Sequence, residues 1–152
     1  MDRKPKIILL AGPTASGKSK IAIKLSKSLN GEIINADSMQ VYKELRILTS
    51  RPSLSDEKKV KHHLYGIISV KNKFSTGEWL RLATKEIKKI LKKKRTPIIV
   101  GGTGLYYIAL LNGLVKIPNI PGVFRNKIRL QHKKIGQIRF YNKLVKLDFK
   151  VK

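Results

Sequence analysis

Apolar and polar positions along this chain come in blocks that switch between the strand period and the helix period. Lys6-Ile7-Ile8-Leu9-Leu10-Ala11 is a short continuous apolar run closed by Gly12-Pro13. It predicts a buried, parallel strand, because strands covered on both faces read as unbroken apolar stretches. A helix is expected from about Gly17 to Leu29, with Ile21, Ala22, Leu25 and Leu29 at helical spacing and Asn30-Gly31 as its C-cap. Glu32-Ile33-Ile34-Asn35-Ala36 reads as a second strand ending at Asp37. Residues 46–74 are less regular: Arg51-Pro52-Ser53 predicts a turn and Tyr65 to Val70 a short strand.

Ser75-Thr76-Gly77-Glu78 has capping-box spacing and opens an amphipathic helix with Leu80, Ala83, Ile87 and Ile90-Leu91 on one face. Trp79 is expected in the core. The helix runs out in Lys92-Lys93-Lys94-Arg95, charges that suit its negative end. Pro97-Ile98-Ile99-Val100 is a third clear strand, followed by Gly101-Gly102-Thr103-Gly104 and an apolar helix from Leu105 to about Leu111. Strands alternating with helices predict an α/β fold with a parallel sheet. After Asn112-Gly113 the pattern changes. Pro118 and Pro121 mark a boundary, and two basic amphipathic helices are expected near 122–134 and 136–147. From Lys116 to Lys152 there are eleven Lys or Arg against one acid, Asp148.

Charge sharpens the picture. Over 152 residues, 34 Lys and Arg face nine Asp and Glu, for a formal net charge of +25. Such a surface favours polyanions, since each phosphate it neutralises releases condensed counterions. A lysine-rich background or a need for solubility accounts for part of it. There is no cysteine, which excludes disulfides, a thiolate nucleophile and a Cys-based zinc site. Met1-Asp2-Arg3-Lys4 leads into only five apolar residues, Ile7 to Ala11. That is too few for a signal peptide or a membrane span, so a cytoplasmic protein without membrane association is expected.

The chemistry concentrates in a few places. Gly12-Pro13-Thr14-Ala15-Ser16-Gly17-Lys18-Ser19 fits the P-loop pattern at every fixed position, between a predicted strand and a predicted helix. Its backbone N–H groups can wrap a diphosphate at the positive end of the helix, with Lys18 on the phosphate oxygens and the Ser19 hydroxyl within reach of Mg²⁺. A P-loop ordinarily means ATP or GTP bound beside a strand-terminal acid. The strand Ile98 to Val100 ends in Gly101-Gly102-Thr103, so Asp37 is the only strand-terminal acid. A carboxylate there can act as general base or metal helper. Alternatively, it caps a helix starting near Ser38. Thr103, at the carboxyl end of a parallel strand, is either a ligand contact for phosphate or base, or a turn former. His62-His63 points to local packing or hydrogen bonding rather than a metal site. Tyr42, Tyr106 and Tyr107 either stack bases or pack the core.

The order of the motifs is more specific than any one of them. The P-loop is followed by Asn35-Ala36-Asp37-Ser38-Met39-Gln40-Val41-Tyr42, Thr49-Ser50-Arg51-Pro52, His62-His63-Leu64 and Val100-Gly101-Gly102-Thr103-Gly104-Leu105-Tyr106. From about Lys6 to Asp148 the chain closely resembles the tRNA dimethylallyltransferase (tRNA isopentenyltransferase) family. The resemblance implies a P-loop NTPase-like core over 1–114 and the start of a basic helical tRNA-binding insertion over 115–152. It further implies transfer of a dimethylallyl group from dimethylallyl diphosphate to the exocyclic amine of the adenosine 3′-adjacent to the anticodon. On that template Lys18 and Mg²⁺ at Ser19 neutralise the diphosphate leaving group, and Asp37 takes the amine proton. Ser38, Met39 and Gln40 line a flipped adenosine, Thr103 contacts the substrates, and Arg125 contacts tRNA. The basic tail from Lys116 suits the phosphates of the anticodon stem-loop. A monomer is expected.

Two departures matter. Members of the family are substantially longer, returning after the tail helices to a core with further arginines, so an incomplete core is expected here. Arg51 stands where the family more often has Lys. A small P-loop kinase or NTPase, and an inactive RNA-binding fragment of the transferase, are the alternative readings.

Overall fold

The computed structural model describes residues 6–115, 118 and 120–151. The stretch Met1-Asp2-Arg3-Lys4, and Lys116 and Lys152 at the ends of the basic tail, lie outside the described residues. The chain forms two compact units, Met1–Leu114 and Val115–Lys152.

In the first unit four strands, β1 (Ile8–Ala11), β2 (Gly31–Asn35), β3 (His62–His63) and β4 (Thr96–Gly101), form a wholly parallel sheet in the order β1-β4-β2-β3. The helices are α1 (Lys18–Ser28), α2 (Leu54–Lys59), α3 (Thr76–Lys92) and α4 (Gly104–Asn112). The two central strands are apolar on both faces because both faces are covered. Ile33, Ile98 and Val100 turn to one side and pack with Ala22 of α1, joined by Ile8, Leu10 and Leu25. Ile34 and Ile99 turn to the other and pack with Trp79, Ala83, Ile87 and Ile90 of α3 and with Tyr106 and Tyr107 of α4. The expected α/β architecture is the one found.

Four local expectations need correction. β1 is parallel but only half-covered: it pairs with β4 alone, and Leu9 is exposed. The buried face of α1 is carried by Ala22 and Ser26, while Ile21 and Leu29 are exposed. Ser26 is buried because its hydroxyl donates to the Gly31 carbonyl at 2.7 Å. The left-handed residue after α1 is Asn30 (φ 49°), and Gly31 already belongs to β2. Finally, the strand after α2 is His62–His63; within Tyr65–Val70 only Ile68 forms a bridge, to Tyr42.

Helix α2 has no apolar period to betray it, since none of its residues is buried. Its ends hold it instead. Ser53 accepts from the Asp56 amide at 3.1 Å, and Lys58 and Lys59 occupy the last turn. At α3 the capping box predicted at Ser75 and Glu78 is complete in both directions.

Because the strands are parallel, β1, β2 and β4 end together. Ala11 pairs with Gly101, and Asn35 with Val100. Position 101 must be glycine: a Cβ there would lie 2.1 Å from the backbone of Ala36. At the opposite end, Glu32 is fully buried and ionised against Arg95 (2.8 Å) and Lys93 (3.7 Å). His63 sits between two carboxylates, 2.6 Å from Glu32 and 3.3 Å from Glu86. Burial works to raise the Glu32 pKa, but His63, Lys93 and Arg95 together hold it below the usual range.

The second unit, described by itself, is a pair of helices, α5 (Gly122–Ile135) and α6 (Gln137–Leu147), joined through Gly136. The edge of one ring, His132 or Phe140, meets the face of the other at 5.1 Å between centres. Among the described residues no helix is long and apolar enough to cross a membrane.

Gly101→Ala is expected to lower stability by about 3 kcal/mol in urea denaturation, through overpacking against backbone. Gly104→Ala, with nothing within 4 Å of its added methyl, should stay within about 1 kcal/mol of the wild type; equal stability of the two variants contradicts the packing account. A lowered folded-state pKa stabilises above the unfolded value and fails as pH falls through the folded one. The gap in thermal midpoint between wild type and Glu32→Gln should therefore be wide at pH 7 and close below the ordinary value of 4.5.

Candidate active site

The P-loop leaves the end of β1 and enters α1. Ala15 (φ 63°) and Gly17 (φ 79°) are both left-handed. For alanine that conformation costs about 1 kcal/mol, and such turns gather successive N–H groups on one concave side. Lys18 donates from its ammonium to the Pro13 carbonyl and to Ser16 Oγ at 3.3 Å. Helix α1 starts with no side-chain cap and no acid in its first turn, unlike α2 and α3. The positive end of its dipole is therefore not neutralised from within the helix.

Thr14, Ala15, Ser16, Gly17, Lys18 and Ser19 line a cavity of about 370 Å³, and Asp37 and Gln40 line it with them. Asp37 does not cap a helix. No helix starts at Ser38; the chain turns instead, and Asp37 Oδ1 accepts from the amides of Met39 (2.8 Å) and Gln40 (3.3 Å). Its second oxygen has no hydrogen-bond partner among the described residues.

The position of Asp37 is set by Asn35, a buried amide that holds three backbone groups at once. Asn35 Oδ1 accepts from the Asp37 amide at 2.9 Å, and Nδ2 donates to the carbonyls of Asp37 (2.9 Å) and Leu64 (3.1 Å). Trp79 Nε1 donates to the Asn35 carbonyl at 2.7 Å, which ties the clamp to the core. Thr103 acts one step further out. Its hydroxyl accepts from the Ser38 amide at 2.9 Å and donates to Ser38 Oγ at 3.3 Å. It thus positions the segment after Asp37. Gly12 and Pro13 form the root of the loop, Met39 is half-exposed beside Asp37, and Gln40 is braced by its Nε2 bond to the Thr49 carbonyl at 2.8 Å. Arg125 lies in the first turn of α5, in the second unit.

Tyr106 and Tyr107 belong to the core. Tyr106 stacks on Trp79 with ring centres 4.2 Å apart. The Tyr107 hydroxyl lies 2.9 Å from the Leu10 carbonyl and 3.3 Å from that of Gly101, to which it donates. Burial, then the neighbouring Asp37, pushes the Tyr107 phenol up to about 12 against the opposing Gly101 bond. Arg51 packs over Gly66 with its guanidinium 3.7 Å from Glu57 and 3.5 Å from the Tyr42 carbonyl. Lys20, Thr49, Ser50 and Tyr65 also line the cavity. No motif pointed to them in this role. Thr49 and Ser50 stand in one of the motifs of the resemblance, and Lys20, one residue beyond the P-loop pattern, is a cation in the first turn of a helix, where a cation is unfavourable.

The IPP transferase profile matches residues 40–152. This chain belongs to the IPP transferase family. It is 62% identical over 152 residues to the tRNA dimethylallyltransferase of Pelagibacter ubique, covering all of this chain and 49% of that protein. The crystal structure of the tRNA isopentenylpyrophosphate transferase from Bacillus halodurans superposes with a TM-score of 0.73 at 36% identity, over 97% of this chain and 49% of the other. A eukaryotic dimethylallyltransferase crystallised acting on tRNA gives 0.81 at 30% identity, over 97% and 37%. The chain spans about half the length of the curated relatives it matches.

Asn35→Ala leaves the Leu64 carbonyl and the Asp37 amide and carbonyl without partners in a buried place. It should cost about 2–4 kcal/mol of stability by chemical denaturation. A loss under about 0.5 kcal/mol shows that the clamp does not hold Asp37.

Proposed function

We propose that this chain grips the diphosphate of a prenyl donor in its P-loop and presents it to an adenine in tRNA, as a dimethylallyltransferase does. The observation that carries the reading is that Asp37 lines the same cavity as the P-loop. The names of its relatives and membership of the IPP transferase family support it. In the reaction, the exocyclic amine of the adenosine next to the anticodon attacks the first carbon of dimethylallyl diphosphate. The carbon–oxygen bond breaks, the diphosphate leaves with the electron pair, and the amine proton passes to the free oxygen of Asp37.

The loop amides and Lys18 stabilise the charge that grows on the leaving oxygens. The Ser19 hydroxyl is a hard donor of the kind Mg²⁺ takes alongside phosphate and water. Bound there, Mg²⁺ would add its charge to the neutralisation of the diphosphate. Among the described residues no cluster of three His, Cys, Asp or Glu could hold a metal ion, so most of its ligands would come from diphosphate and solvent. Ser38, Met39 and Gln40 border the acceptor adenosine, with Thr103 holding Ser38 in place. Arg125 and the basic second unit engage the phosphates of the anticodon stem-loop. Such a chain works as a monomer in the cytoplasm.

The test is incubation with unmodified tRNA, labelled dimethylallyl diphosphate and Mg²⁺. Label in RNA supports the transferase; phosphate release from ATP without labelling supports a P-loop NTPase; salt-sensitive RNA binding alone supports a binding fragment. Asp37→Ala should lower transfer about 10²–10⁴-fold while RNA binding changes little; undiminished transfer removes Asp37 from the role of base.

A further inference from the structure

Among the described residues, Tyr65 is the one aromatic side chain in the wall of the P-loop cavity. Its ring packs on the α1 side of the sheet against the cluster of Ala22, Ile33, Ile98 and Val100. It also meets the His62 ring at 5.4 Å and 71°. A ring packed on two sides is held in place in the cavity wall.

Two polar tips on this sheet have protein partners: the Tyr107 hydroxyl at the ends of β1 and β4, and Trp79 Nε1 at Asn35. The Tyr65 hydroxyl has no hydrogen-bond partner among the described residues. Phenol hydroxyls at the edge of a core normally find one. We propose that the Tyr65 hydroxyl is a further donor of the site, bonding directly to an oxygen of the diphosphate held by the P-loop. This rests on the reading of the cavity as a diphosphate site.

The acceptor follows from charge. Burial first, and the nearby Asp37 carboxylate second, push the Tyr65 phenol far above its ordinary range, so it stays protonated and donates. The loop amides, the start of α1 and Lys18 draw an anion to this cavity, and a diphosphate oxygen is a stronger acceptor than the neutral ring nitrogens of an adenine.

The experiment is calorimetric titration of the full chain with inorganic pyrophosphate and Mg²⁺, for wild type, Tyr65→Phe and Lys18→Ala, each checked for native circular dichroism. Losing one hydrogen bond to a charged acceptor should weaken binding roughly 10- to 100-fold in Tyr65→Phe, with a larger loss in Lys18→Ala. If Tyr65→Phe binds like wild type while Lys18→Ala fails, the proposal falls and the diphosphate site stands. If wild type does not bind pyrophosphate, both fall. Should Tyr65→Phe not fold, the ¹³Cζ resonance of labelled Tyr65 in the unmutated chain decides. It should shift on saturation with pyrophosphate, and an unmoved resonance overturns the assignment.

Discussion

Everything functional in the first unit depends on how closely β4 can approach the end of β2. Gly101 lies against the backbone of Ala36 so tightly that even a methyl group has no room. That approach lets the Ala36 amide bond to the Val100 carbonyl at 2.8 Å and its carbonyl accept from the Thr103 amide at 3.2 Å. Asn35 and Thr103 then fix the backbone on either side of Asp37. A carboxylate on a turn, with no helix under it, acquires a definite place only through these neighbours. Gly101 is thus part of the geometry of the acid, though it comes far later in the sequence.

Much of this was legible from residues alone, where burial is two-sided and the period is clear. The central strands, α3 with its capping box, and α4 all declare themselves by apolar pattern and end signals. The failures have a common cause, namely dependence on partners distant in sequence. The faces of α1 are set by what Ser26 can bond to, and β1 is half-covered because it has one neighbour. His62–His63 pairs with β2 by register, with no apolar run of its own. Asp37 and the P-loop were readable as candidates, and the fold places them in one cavity wall. The placement of Tyr65 and Lys20 in the same wall was not readable, because cavity membership follows from the fold and not from spacing. Thr103 and the tyrosines of α4 had two readings each; the fold shows stacking on Trp79 for Tyr106, hydrogen-bonded packing for Tyr107, and hydrogen bonds to Ser38 for Thr103.

The two ends of the sheet divide the labour of handling charge. Glu32 is buried at the start of β2, where His63, Arg95 and Lys93 share the pairing of its charge and the loss of all three would leave it isolated. At the other end the charges are Lys18 and Asp37, each with bonding capacity beyond what the loop and the turn use. Buried ion pairs hold the scaffold, and incompletely engaged groups face the cavity.

The Tyr107 hydroxyl spans the last turn of two strands, reaching the Leu10 carbonyl just before the P-loop and the Gly101 carbonyl just before Thr103. The root of the anion cradle and the root of the segment that braces Asp37 are thereby riveted through one phenol. Jitter in one is shared by the other, so their separation stays sharp even as the exposed loop fluctuates. The spacing of the P-loop and Asp37 is then settled when the chain folds, and a ligand entering the cavity inherits that order instead of having to create it.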